Sequence, residues 1–146
     1  MNAPTVALLQ EVVRRESLSM LTYVGEAFPW TPAREADTLA RVKQLVAEHN
    51  EVVTGLGRYL TSLRHPLMYL GSYPSSFTTI NFLSLSYILG QLVVAERSGV
   101  ATLERDFAAL HDKDAHTRLE HLLHVKKKHL ETLEFLAASH TTPAAS

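Results

Sequence analysis

The chain has no cysteine, a single tryptophan, and only six glycines and six prolines in 146 residues. Without thiols there are no disulfides, thiolate zinc sites, cysteine-ligated clusters or cysteine nucleophile, so any metal must be held by histidine and carboxylates. Charge of one sign is also lacking. Lys plus Arg number 14 against 15 Asp plus Glu, for a formal net charge of -1, so no global field draws the molecule onto nucleic acid or an acidic membrane. Neither is expected as a partner. No stretch approaches the roughly 18 consecutive apolar residues of a membrane span. The segment Met1 to Gln10 has no basic region ahead of its apolar residues, and Glu11, Arg14, Arg15 and Glu16 interrupt any signal-like run. A single soluble, cytoplasmic domain is therefore expected. Phosphate loops, dinucleotide fingerprints, Gly-x-Ser-x-Gly elbows, His-Glu-x-x-His zinc helices and EF-hand loops are absent too, so no nucleotide or organic cofactor is expected. Ser, His and Asp occur in no arrangement that singles out a hydrolytic triad.

Hydrophobic residues make up 46% of the chain. They recur with helical period, and no segment alternates with period two between hairpin turns, so the fold class is all-α. Segment A runs from about Thr5 to Phe28 and is stopped by Pro29 and Pro32. Segment B begins at Thr31, read as N-cap with Pro32 at the first helical position, and continues to about Arg64. Gly55 and Gly57 weaken B locally. His65 to Phe77, rich in Pro, Gly, Ser and Tyr, reads as irregular loop. Extended at roughly 3.3 Å per residue, such a loop spans about 40 Å, enough to cross a bundle end to end. Segment C covers about Thr78 to Leu110, with Gly99 a point of bending, and segment D about Asp114 to Ala138; His140 to Ser146 reads as a frayed tail. Short, long and short connections predict two antiparallel helical hairpins joined by one long crossover.

At about 100° per residue, the residue at the centre of each apolar stripe is polar. Leu9, Val12, Val13 and Met20 flank Glu16 in A, and Val42, Leu45, Val53 and Leu56 flank His49 in B. Leu89, Leu92, Val93 and Leu103 flank Glu96 in C, and Leu122, Val125, Leu133 and Leu136 flank His129 in D. Two carboxylates at core positions require compensation, since an unpaired buried carboxylate costs several kcal/mol. Glu16 precedes His49 by 33 residues and Glu96 precedes His129 by the same number, which sets both pairs at similar heights about a pseudo-twofold axis.

At these residues the chain resembles the ferritin-like superfamily, bacterioferritin and rubrerythrin in particular, over about Thr5 to Ala138. The resemblance implies a ferritin-like four-helix bundle. It also implies a metal centre in which Glu16 and Glu96 match the single Glu of helices A and C, and His49 and His129 match the His of two Glu-x-x-His motifs. Tyr23, two turns after Glu16, looks like the Tyr that often accompanies such sites. The chain departs from the pattern where the bridging Glu of each motif belongs: Val46 stands in helix B and Lys126 in helix D. A register using Glu48 and Glu51 restores carboxylates but puts Glu51 opposite the apolar stripe. Two readings follow. In one, Glu16, His49, Glu96 and His129 hold a divalent Fe, Mn or Zn, with metal-handling or redox use. In the other, Lys126, about 60° from His129 on the same face, neutralises the carboxylates, and the protein is a non-catalytic interaction or scaffold module.

Five of the eight histidines, His111, His116, His121, His124 and His129, fall near the C-terminus. Of these, His116, His121 and His124, with Lys126, Lys127 and Lys128, form a positive stretch that reads as a solvated face complementing the helix dipole. The apolar stretch Ser75 to Leu92 is expected to fill the core and to leave a strip for a homodimer contact.

Overall fold

In a computed structural model of the chain, the described residues are 1–29, 31–67 and 70–141, apart from the side chains at positions 81, 82, 140 and 141. They form five α-helices: α1 (Ala3–Ser17), α2 (Met20–Glu26), α3 (Ala36–Ser62), α4 (Leu85–Ala109) and α5 (Lys113–Thr141). Short 3-10 helices at Ala33–Glu35 and Ser75–Phe82 complete the secondary structure, and no strand occurs among the described residues. None of the helices is long and apolar enough to cross a membrane.

The helix expected over 5–28 is broken. Ser19 has extended backbone and its hydroxyl accepts from the Thr22 amide at 3.3 Å, so it caps a new helix and terminates α1 at Ser17. The break leaves the Glu16 carbonyl outside regular helical pairing, with consequences in the core. At the next helix, Pro32 does not stand at the first α-helical position; its extended conformation precedes the Ala33–Glu35 turn, and α3 begins at Ala36. The Thr31 hydroxyl donates to the Pro29 carbonyl at 3.1 Å instead of capping α3. Both α3 and α4 then run without interruption through Gly55, Gly57 and Gly99.

At the end of α3, Arg64 is left-handed at φ 63°, with its amide on the Thr61 carbonyl and the His65 amide on the Leu60 carbonyl, both at 2.9 Å. This is a Schellman closure with arginine where glycine is favoured. Arg64→Gly is expected to stabilise the fold by about 1 kcal/mol by relieving the Cβ clash of the left-handed conformation, read as a rise of a few degrees in thermal midpoint.

The connection to α4 is longer than its loop-like composition suggests. Six residues expected in segment C, Thr78 to Leu83, precede α4, because Ser84 caps that helix by accepting from the Tyr87 amide at 3.3 Å. Tyr73 and Phe77 anchor the connection by packing their rings on Tyr23, at centroid distances of 5.1 and 5.6 Å. Between α4 and α5 the chain turns in Leu110 to Asp112, and the Asp112 carboxylate caps α5 through the Ala115 amide at 2.9 Å. That helix continues to Thr141, past the expected end at Ala138, while residues 142–146 of the expected tail lie outside the described residues.

Two apolar clusters fill the interior. One gathers Leu9 and Val12 of α1, Leu56 and Leu60 of α3, Leu103 of α4 and Leu119 of α5; the other gathers Leu21 of α2, Val42 and Leu45 of α3, Leu89 and Leu92 of α4 and Leu133 of α5. Thus α1 and α3 run in opposite senses, as do α4 and α5, whereas α3 and α4 point the same way. Of the apolar stretch before and within α4, Ile80, Leu85, Ile88, Leu89 and Leu92 are core, and Tyr87 is exposed.

Candidate functional site: a buried charge triad

Between the two apolar clusters lies a polar layer. Glu16 and Glu96 are each 2% exposed, His49 0%, Lys126 1% and His129 2%. The four residues read from the sequence as stripe centres are all interior, and Lys126 joins them.

Lys126 sits between the carboxylates. Its ammonium donates to Glu16 Oε2 at 2.8 Å and to Glu96 Oε2 at 3.0 Å, tying α5 to α1 and α4. Burial alone would pull this ammonium toward its neutral form, but the two carboxylates outweigh that effect and hold its pKa above the ordinary lysine value. The long stem passes Gly99 of α4, one turn beyond Glu96. A Cβ at Gly99 would stand 3.4 Å from Lys126 Cε and Nζ, at van der Waals contact, so a side chain longer than alanine there competes for the lysine's space. The other departure from the Glu-x-x-His pattern is also filled: Val46 packs into a notch at Gly25 of α2, where an added Cβ would lie 2.3 Å from Val46 Cγ1.

The two histidines have different roles. His49 Nε2 lies 3.1 Å from the Glu16 backbone carbonyl and 3.8 Å from Glu16 Oε2. A carbonyl oxygen only accepts, so the proton is on Nε2 and Nδ1 is left as an acceptor, buried and without a partner among the described residues. The Thr22 hydroxyl donates to the same carbonyl at 3.0 Å. These donors are available to Glu16 because α1 has ended. His129 instead turns Nε2 to the half-exposed carboxylate of Glu48, at 2.9 Å, and that bond holds the Glu48 pKa below the ordinary carboxylate value. Tyr23 directs its ring to the Tyr73 and Phe77 cluster.

Sequence periodicity did not identify Thr22, Gly99 or the Glu48 partner. Thr22 became relevant through the helix break, whose signal was Ser19 three residues ahead of it. Gly99 was visible as a glycine inside a helix, but its role depends on a side chain from another helix.

Burial, followed by the Lys126 charge, pushes the His49 pKa below its ordinary value of 6.5. The unfolded chain therefore binds a proton that the folded chain refuses, and stability present above pH 6.5 is lost as pH falls below it. The expected slope from this one group is up to about 1.4 kcal/mol per pH unit. His49→Gln, which keeps the donor to the Glu16 carbonyl but does not titrate, is expected to flatten this limb in urea unfolding between pH 7 and 5.

No family model matches the chain, and neither the curated proteins nor the solved structures contain a match.

Proposed function

We propose that this is a non-catalytic helical scaffold or interaction protein of the ferritin-like kind, in which Lys126 takes the place of metal charge between Glu16 and Glu96. The fold reading is supported by the opposed pairs α1/α3 and α4/α5 and by the return of the chain from the end of α3 to the start of α4 at the opposite end. The observation that carries the functional reading is the ammonium 2.8 and 3.0 Å from the two carboxylates.

The residues present do not fit a resident metal. The cation that a metal would supply is already provided by lysine, and the imidazole nitrogen His49 would turn toward Glu16 carries a proton bound to the Glu16 carbonyl. His129 Nε2 faces Glu48, on the solvent side. Among the described residues no three His, Asp or Glu side chains converge as a ligand set. The close packing of Val46 against Gly25 supports this reading, since it leaves no room for the longer carboxylate side chain.

Metal analysis of protein purified after exposure to Fe, Mn and Zn in turn tests this reading. Well under one equivalent per chain is expected, with no change in Glu16→Ala. One equivalent or more of any of the three, lost in Glu16→Ala, would establish the metal-handling reading instead.

A further inference from the structure

A cleft of about 480 Å³ lies on the surface between α3 and α5, remote in character from the buried triad and independent of how that triad is read. Its volume falls within the range of small-molecule sites. Its apolar lining is the half-buried Val52 and Tyr59 of α3, with the core residues Leu56 and Leu122 beneath, and its rim is Asp114, Thr117, Arg118 and His121 of α5. The α3 wall is backbone at Gly55, where an added Cβ would meet nothing within 4 Å, so the cleft is open there to an occupant.

Arg118 is the group that defines the chemistry. Its guanidinium lies over the Tyr59 ring, 3.6 Å from the centroid. Asp114 stands four residues earlier, the spacing at which helical ion pairs form, yet among the described residues Arg118 has no carboxylate partner. A guanidinium resting on a ring face has N–H donors left over for a ligand, and their fork matches the two oxygens of a carboxylate. Asp114 on the same rim opposes ligands of high negative charge, and the half-buried Val52 favours an apolar body.

We propose that the α3–α5 cleft binds a small monocarboxylate with a compact apolar body, its carboxylate held by Arg118 and its body seated against Val52. Such a ligand gains a charge-assisted, bidentate contact and buries apolar surface at one site.

The test is amide NMR of the full ¹⁵N-labelled chain titrated with 3-phenylpropionate, 3-phenylpropylamine, 3-phenylpropanol and inorganic phosphate. Saturable shifts centred on Gly55, Thr117, Arg118 and His121 are expected for the acid alone. Arg118→Gln is expected to weaken binding about tenfold or more, as loss of a charge-assisted contact implies. Gly55→Leu, which fills the cleft from α3 and raises helix propensity, is expected to abolish binding while far-ultraviolet circular dichroism stays unchanged. The proposal is overturned by the absence of saturable shifts with the acid, by equal binding of the alcohol, amine or phosphate, or by undiminished acid binding in either variant.

Discussion

Lys126→Met is expected to lower stability by about 3–5 kcal/mol, because it leaves the Glu16 and Glu96 carboxylates buried without the cation that holds them. The methionine stem fills nearly the same space, so the loss is one of charge and hydrogen bonds, with little contribution from a cavity. The triple variant Glu16→Met, Glu96→Met, Lys126→Met separates these effects. With all three charged groups replaced by apolar chains of similar length, no desolvated ion remains, and stability is expected to return to near the parent value or exceed it. Chemical denaturation of the three proteins at pH 7 measures both steps. A neutral Lys126→Met would mean that the carboxylates find another source of compensation and that the triad is not the organising feature of the polar layer.

The double variant Glu16→Gln, Glu96→Gln removes the carboxylates and leaves the ammonium buried. In the parent, the folded-state pKa of Lys126 lies above the ordinary 10.5, so its contribution to stability is fully present below that pH and is lost only as pH rises further. In the double variant, burial acts unopposed and drives the pKa down, by as much as about 3–5 units for a fully buried lysine. The unfolded chain then binds the proton that the folded chain excludes, and stability is expected to rise with pH up to about 10.5, with a gain of about 4 kcal/mol between pH 6 and 10. The sign of the alkaline limb is thus reversed relative to the parent. Denaturation midpoints at pH 6, 8 and 10 report it directly, and a flat or falling profile in the double variant would contradict the assignment of both Glu residues as the partners of Lys126.

These effects arise from a layer that is partly legible in the sequence alone. Helical periodicity is a property of the backbone, independent of what a helix packs against, so the angular position of Glu16, His49, Glu96 and His129 at the centre of apolar stripes was readable from residue spacing. Their burial followed, as did the requirement for a compensating cation and the presence of Lys126 on the inward face of α5. The all-helical class and the short α4–α5 turn were readable for the same reason, since both rest on local pattern and turn chemistry.

The equal spacing of 33 residues in each Glu-His pair suggested equivalent roles, and here the structure differs. Ser19 ends α1 just beyond Glu16 and leaves the Glu16 carbonyl with only a long 3.4 Å bond from the Ser19 amide, so that His49 and Thr22 also donate to it. Around Glu96 the helix continues to Ala109, its carbonyl stays within the helix, and His129 turns instead to Glu48. Spacing along a chain sets height and face, but which atom accepts a proton depends on local backbone pairing.

Residue type, period and charge count carried the helices, the polar stripe centres and the need to neutralise two buried acids. The agent of that neutralisation was settled in three dimensions. Lysine reaches both carboxylates because α1, α4 and α5 converge at one level. Such convergence depends on the packing of helices far apart in the chain, and local sequence carries no measure of the distance between them.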